Sequence, residues 1–309
     1  MTIRGARSLA VEPWKDRLIS PLFVGLQKGL ARLSLPANHR VGVALGHLLM
    51  LGGEIKRITQ LNLHQAYPDL SPRQRHALLK AVLIETGKTA TEMGIMWTWP
   101  AQQLQPLIRQ VHGEVHMRSA LARGKGVLLL APHIGNWELL GWCLPQYAPT
   151  TSMYEPPYFP GIETFMRQGR ERSGARLVPT NGRGVKALLD ALRRNELVGL
   201  LPDQAPDTGY VFADFMGRPA RTMTLAHKLV QKTDATVVMG AMIRRPRGEG
   251  YDLHFLPGPD LQVADPVLAA ARLNRAVQDC VALAPAQYQW TYKRWRKGPK
   301  TLSDLYKKA

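Results

Sequence analysis

At 309 residues, 45% of them hydrophobic, the chain is long enough to bury a large core. It has no long Gly/Ser, Gln/Asn or acidic tract and no repeat, which excludes a linker-like or solenoid protein. Lys and Arg number 41 against 23 Asp and Glu, a net charge of +18, so the surface attracts polyanions, with nucleic acid, anionic lipid and acidic protein all qualifying.

The basic residues gather at Arg4 to Arg40, Arg244 to Arg247 and Lys293 to Lys300, in none of the spacings of an RNA-recognition, zinc-finger or basic-zipper motif. Cys143 and Cys280, both in apolar helical contexts, argue against a disulfide framework or a Cys-ligated zinc site and fit a reduced compartment. No metal or other cofactor is expected. The N-terminus shows no signal-peptide pattern. The longest early uncharged stretches, 18–27 and 41–53, are shorter than the roughly 20 residues that a spanning helix needs.

In chain order, Ser20 is a predicted helix cap with Pro21 at the first helical position, after which Leu22, Leu26, Leu30 and Leu33 form one apolar stripe. This helix, 21–35, serves either to lie on a membrane surface or to pack on the protein's own core. Ser71 starts a helix that runs to Trp97 before Pro100 stops it, and residues 1–123 read as a helical layer. From residue 124 to 309 the pattern is that of an α/β core, with predicted strands at Val127 to Ala131, Thr150 to Tyr154, Ala175 to Pro179, Leu197 to Leu201, Thr236 to Ile243 and Tyr251 to Leu256. Helices are expected between them at Trp137 to Tyr147, Gly161 to Ser173, Gly184 to Arg194 and Met223 to Thr233. The fold class is therefore α/β, a mixed central sheet flanked by helices with an N-terminal helical layer, organised as a single domain over 1–309.

The stretch Ala131-Pro-His-Ile-Gly-Asn-Trp-Glu138 joins the first of these strands to a helix. On one continuous helix, residues five apart diverge, but across a strand-to-helix junction His133 can turn toward the carboxylate of Glu138. An imidazole oriented by a carboxylate is held in one tautomer and made more basic, which suits it to take a proton from a hydroxyl. Gly135 permits the tight turn and Asn136 can cap the helix. By itself such a pair arises by chance more often than by function. Further on, Arg170 and Arg172 can bind a phosphate or carboxylate or form a solvated face, and Asp203 ends an apolar strand where α/β proteins place reactive groups or simple turn residues. The segment Gly209 to Gly217, with Tyr210, Phe212 and Phe215, reads as an aromatic loop that walls an acyl pocket or packs as an ordinary loop. Cys143 and Ser173 sit in no nucleophile elbow and read as structural.

Taken together and in order, these blocks resemble the bacterial lipid A biosynthesis acyltransferases, the late lauroyl or myristoyl transferases, within the glycerolipid acyltransferase superfamily marked by His-X4-Asp/Glu. The resemblance rests on Asn62-Leu63, Tyr67-Pro68, Leu70-Ser71, Glu92, His133 to Glu138, Gly169-Arg170, Pro202-Asp203-Gln204, Val211 to Gly217, Gln287 to Trp290 and Lys293-Arg294. It implies that His133 is a general base, Glu138 its orienting carboxylate, and Arg170 and Asp203 further catalytic groups. Asn136, Arg172 and Gln204 are the expected substrate contacts, and Arg170 or backbone amides near Asn136 the expected donors to a tetrahedral oxyanion. The implied reaction moves a fatty acyl chain from acyl carrier protein to a hydroxyl of a lipid A precursor or related lipid, directly and without an acyl-enzyme. The implied partners are that acidic carrier, the lipid acceptor and an anionic membrane surface, with no nucleic acid. The implied location is the cytoplasmic face of the bacterial inner membrane. Many members carry a hydrophobic N-terminal anchor where this chain offers only the amphipathic 21–35 stretch, so peripheral attachment is expected.

Overall fold

The chain is described by a computed structural model over residues 12–307. Arg4 and Arg7 of the first basic cluster, the stretch 1–11 on which the signal-peptide expectation falls, and the two ends of the expected 1–309 domain lie outside the described residues.

Among the described residues, five helices come first: α1 (Pro13–Leu30), α2 (Leu35–Leu49), α3 (Glu54–Ala66), α4 (Pro72–Thr98) and the single turn α5 (Ala101–Leu104). Helix α4 starts where the sequence predicts, through a capping box. The Gln74 amide donates to Ser71 Oγ at 3.3 Å, and the Ser71 amide donates to Gln74 Oε1 at 2.9 Å. Helix α1 departs from expectation. It begins eight residues earlier, with Pro13 in its first turn, so that Ser20 and Pro21 are interior rather than capping. Ser20 Oγ donates instead to Asp16 Oδ1 at 2.6 Å. Pro21 is tolerated because it lies on the exposed side, where the Arg17 carbonyl it leaves without a donor meets solvent.

The rest of the chain alternates: β1 (Ile108–His112), α6 (Glu114–Ala122), β2 (Val127–Leu130), α7 (Trp137–Cys143), β3 (Thr150–Tyr154), α8 (Pro160–Glu171), β4 (Arg176–Pro179), α9 (Gly182–Arg193) and β5 (Leu197–Leu200). Then come β6 (Tyr210–Phe215), β7 (Arg218–Met223), α10 (Leu225–Thr233), β8 (Thr236–Arg244), β9 (Tyr251–Pro257) and α11 (Pro266–Leu283). Seven strands form one sheet in the order β1-β9-β8-β2-β5-β3-β4. Strands β8, β2, β5, β3 and β4 are parallel, and β9 runs antiparallel to β8, so the sheet is mixed as expected.

Side chains alternate across a strand, and β2 shows the consequence. Leu128 and Leu130 face one layer with Leu188, Leu192, Leu229, Leu273 and Val277 from α9, α10 and α11. Val127 and Leu129 face the other with Ile95, Met117, Leu139 and Leu140 from α4, α6 and α7. Helix α4 of the N-terminal layer thus contributes Ile95 to the core beside the strand that leads to His133.

Further elements differ from the sequence reading, beginning with β1, which falls within the stretch 1–123 read as helical. The segment expected as an aromatic loop is strand β6, paired with β7 in a hairpin that turns at Met216 and Gly217, both at positive φ (52° and 76°). Asn274 of α11 fastens this hairpin, its Nδ2 donating to the Asp214 carbonyl at 2.7 Å and to Thr222 Oγ1 at 2.9 Å. Helix α7 stops at Cys143 rather than Tyr147 and tightens into a 3-10 turn, Leu144–Gln146, around Pro145.

Candidate active site

Strands β2 and β5 are parallel neighbours in which Leu130 lies opposite Leu200. Both continue for three residues past these partners, to His133 and Asp203, and an equal offset brings the two side chains together beyond the carboxyl ends of the strands. His133 Nδ1 and Asp203 Oδ1 are 2.8 Å apart, and the His133 amide donates to Asp203 Oδ2 at 3.1 Å. Burial of Asp203 would raise its pKa, but the charge of His133 and hydrogen bonds to it outweigh burial and hold the carboxyl below its ordinary value. An ionised carboxylate only accepts, so the Nδ1 that faces it carries a proton, and in the neutral imidazole the lone pair then lies on Nε2. Gln204 Nε2 is 3.3 Å from that Nε2 and donates to Gln289 Oε1 at 3.1 Å. The Trp137 ring meets the imidazole edge-on at 5.1 Å, and the His133 side chain keeps 14% exposure.

Glu138 is engaged elsewhere, and here the geometry differs from the expected His133/Glu138 pairing. Its carboxylate accepts from Arg170 Nε at 2.8 Å, from Arg170 Nη2 at 2.5 Å and from Trp97 Nε1 at 2.8 Å. Burial raises the Glu138 pKa, and the Arg170 charge with these donors more than reverses that, so it too is held below the ordinary value. The reason for the exchange is local. Asn136 caps α7, its Oδ1 accepting from the Leu139 amide at 2.8 Å, and the first turn carries Glu138 toward α4 and α8, while β5 delivers Asp203 to the imidazole.

Asn136 and Arg172 were expected to touch substrate, and both are spent on the scaffold. Asn136 is buried, with Nδ2 donating to Glu92 Oε1 at 2.9 Å and its amide to the Met242 carbonyl at 2.7 Å. Arg172 donates to the carbonyls of Thr98 and Trp99 at 3.1 and 3.0 Å, satisfying the C-terminal end of α4. Of the three expected contacts, Gln204 is the one that reaches the imidazole. Of the oxyanion donors weighed in the sequence, the Asn136 amide is committed to the Met242 carbonyl, the Leu139 amide to Asn136 Oδ1, and Arg170 Nε and Nη2 to Glu138.

Beneath the junction lies a buried polar cluster whose key member the sequence reading missed. Arg244, counted there among surface charges, is 4% exposed at the end of β8. It pairs through Nε and Nη2 with Glu92, and its Nη2 also donates to the Gly135 carbonyl at 2.8 Å. Glu92 accepts from Tyr251 Oη at 2.8 Å and lies 2.9 Å from His39 Nε2. Burial opposes its ionisation, but Arg244 and His39 prevail and bring its pKa to about 2. Gly135 fits tightly above this cluster: at φ 61°, an added Cβ would stand 1.9 Å from the Met242 carbonyl oxygen. An arginine closing the apolar run of β8 was the available signal. Cys143 and Cys280 are both buried, and burial pushes each thiol up to about 12.

A histidine whose Nδ1 is held by a carboxylate at the carboxyl ends of parallel strands, followed five residues later by an arginine-bound glutamate, has the form of a His-X4-Asp/Glu acyltransferase. Residues 16–297 match the family described as bacterial lipid A biosynthesis acyltransferase, and the chain belongs to that family. It is 28% identical over 291 residues to a lipid A biosynthesis lauroyltransferase of Escherichia coli K12, covering 92% of this chain and 94% of the relative. It is 26% identical over 251 residues to a lipid A biosynthesis palmitoleoyltransferase of the same strain, covering 81% of each. A phosphatidylinositol mannoside acyltransferase of Mycobacterium tuberculosis is 26% identical over 193 residues, 61% of this chain and 60% of the relative. The protein is an acyltransferase of this family.

Proposed function

We propose that the protein transfers a lauroyl- or myristoyl-type chain from acyl carrier protein to a hydroxyl of a lipid A precursor, at the cytoplasmic face of a bacterial inner membrane. The observation that carries the mechanism is the 2.8 Å contact between His133 Nδ1 and Asp203. With Nδ1–H held by Asp203, Nε2 is free to remove the acceptor's hydroxyl proton once that hydroxyl displaces Gln204. The oxygen attacks the thioester carbonyl, the tetrahedral intermediate collapses, and the departing thiolate takes the proton from the imidazolium. In this reading Asp203 orients the base, and Glu138 with Arg170 fixes the first turn of α7 beside it. The helical part up to 123 and the α/β part from 124 act as one acyltransferase domain, since α4 supplies Glu92 to Asn136 and Trp97 to Glu138, on the two sides of the junction after the base.

Membrane attachment is assigned to α1. Its inner face, Ser20, Phe23 and Gln27, packs on α4 and α8, with the Gly94 amide donating to Gln27 Oε1 at 2.8 Å and Phe23 beside Trp97. The opposite face exposes Trp14, Leu18, Leu22 and Leu26, with Lys15, Arg17 and Lys28 alongside. Apolar side chains flanked by cations suit the headgroup region of an anionic bilayer, and none of the described helices is long and apolar enough to cross one.

The similarity to phosphatidylinositol mannoside acyltransferases supports a second reading, in which the acceptor is another glycosylated phospholipid. The test is incubation of the purified full chain with lauroyl-, myristoyl- and palmitoleoyl-carrier protein against lipid A precursor and mannosylated phosphatidylinositol, followed by lipid mass spectrometry. A lauroyl or myristoyl mass gain on the lipid A precursor is the expected result. Gain on the mannosylated lipid alone favours the second reading, and gain on neither contradicts both.

A further inference from the structure

We infer that Arg221, Arg296 and Lys297 form a binding site for a phosphate ester carried by one of the two substrates, an inference that rests on the acyl-transfer reading above. The three cations converge on one exposed carboxylate oxygen, Asp207 Oδ1, from Lys297 Nζ at 2.8 Å, Arg296 Nη2 at 3.7 Å and Arg221 Nη1 at 3.9 Å. Among the described residues, Asp207 is the one acid within ion-pair range of the three, which leaves two positive charges in excess. An ordinary surface ion pair balances its charges, whereas this cluster gathers like charges that repel unless an anion joins them.

The cations are also held in place. Arg221 Nε donates to the Lys297 carbonyl at 3.0 Å, and its guanidinium lies over the Tyr210 ring at 4.2 Å, with 15% of the side chain exposed. Arg296 Nη2 donates to the Ala205 carbonyl at 2.7 Å, and its guanidinium lies 5.9 Å from the Tyr292 ring centre. The Tyr292 hydroxyl accepts from the Ala205 amide at 3.0 Å. Lys297 holds a left-handed backbone, φ 50°, that lysine seldom adopts, and this aims its chain at the cluster. Donors fixed in advance lose little freedom on meeting an anion, and a phosphate oxygen offers planar guanidinium forks a better partner than a single carboxylate oxygen.

The position ties the cluster to the reaction. Ala205 directly follows Gln204, whose side-chain amide nitrogen is 3.3 Å from His133 Nε2, so the cluster grips the loop that follows Asp203. Arg221 lies on β7 and Lys297 beyond Trp295, which is why the site joins the hairpin to the C-terminal segment. Both proposed substrates carry a phosphate ester: the donor at the far end of its pantetheine arm from the thioester, and the acceptor on its sugar.

The test uses the full chain and the variant Arg221→Gln/Lys297→Gln, leaving Arg296 to hold Ala205. Steady-state rates are compared for acyl-phosphopantetheine against acyl-pantetheine as donor, and for phosphorylated against phosphatase-treated acceptor. The site predicts a KM raised by about tenfold or more for the phosphate-bearing form of one substrate, as expected for lost charge-assisted hydrogen bonds, with kcat within about twofold. KM for the phosphate-free form stays unchanged, and the substrate affected identifies the source. Equal KM for variant and wild type, or an equal rise with and without phosphate, overturns the proposal. Calorimetric titration of both proteins with phosphopantetheine and with glucosamine phosphate separates this outcome from failure of the functional reading. If no acceptor is acylated, phosphate-ester binding present in wild type and lost in the variant still supports the site, and the same affinity or no binding in both overturns it.

Discussion

At the scale of single residues, two carboxylates of the site differ in what each one holds. Asp203 faces the imidazole and Glu138 faces Arg170, so replacing them has different consequences. Asp203→Asn can donate to Nδ1 and favour the wrong tautomer, and kcat is expected to fall by about 10²–10⁴ with little change in acceptor KM. Glu138→Gln keeps the shape of the turn and leaves Nδ1 with its partner, so its loss is expected to be smaller than that of removing His133. Steady-state kinetics on the two variants separates the roles. Glu92 belongs to stability. Its carboxyl has an ordinary value of 4.5 and stands at about 2 in the fold. A depressed acid stabilises the fold fully above its unfolded pKa, and that contribution is lost as pH falls from about 4.5 toward about 2. Glu92→Gln leaves the buried Arg244 with only the more distant Glu85 carboxylate, 3.5 Å from its Nη1, a cost of roughly 3 kcal/mol at neutral pH, and flattens the acid limb. Urea unfolding between pH 2 and 7 checks both. His133, Glu138, Arg170 and Asp203 could be picked out because they stand in short motifs, but partner choice could not. It depends on strand register, and the sequence offered Glu138 as the nearer carboxylate while β5 brings Asp203 from 70 residues away.

At the scale of elements, glycine sets how closely the helical layer packs. A Cβ on Gly46 would stand 2.4 Å from Ile84 Cα, and one on Gly87 would stand 2.1 Å from the Gly42 carbonyl oxygen, so α2 and α4 touch backbone to backbone. Gly46→Ala and Gly87→Ala are each expected to cost about 1–3 kcal/mol, read as a lower urea midpoint. On the outer face of α1, Leu18→Glu/Leu22→Glu puts charge where the account places lipid, and vesicle flotation is expected to show most bilayer binding lost while the unfolding midpoint stays near that of wild type. Six strands of the sheet and its mixed character were legible, because buried strands such as Val127–Leu130 are unbroken apolar runs between polar turns. Strand β1 was not, since Ile-Arg-Gln-Val-His at an exposed sheet edge shows no alternation. The β6–β7 hairpin was read as a loop because its turn is Met-Gly, with methionine in the left-handed conformation that Asn or Asp usually fills. The start of α1 was misplaced because Ser20-Pro21 imitates a cap, whereas Pro13 holds the true first turn.

At the scale of the whole molecule, the charge of +18 is less uniform than composition suggests. Arg244 and Arg294 are buried and serve the scaffold, whereas Arg221, Arg296 and Lys297 surround the loop after Asp203 and Lys15, Arg17 and Lys28 flank the exposed face of α1. Surface attraction of this kind is screened as the Debye length shrinks from about 10 Å at 0.1 M salt to about 3 Å at 1 M. Binding to anionic vesicles is therefore expected to weaken steeply with added salt, in a co-sedimentation series, toward the level seen with zwitterionic vesicles. The layers also depend on one another, for α4 supplies Glu92 beneath the junction that β2 leads into and α7 leaves. All of this serves one claim, that His133 is the base of an acyl transfer. The direct test is the turnover of the purified His133→Ala chain with acyl carrier protein thioester and lipid A precursor, alongside its circular dichroism and unfolding midpoint. The account predicts a folded protein with no acyl transfer above background, and acylation at the wild-type rate by that variant would contradict it.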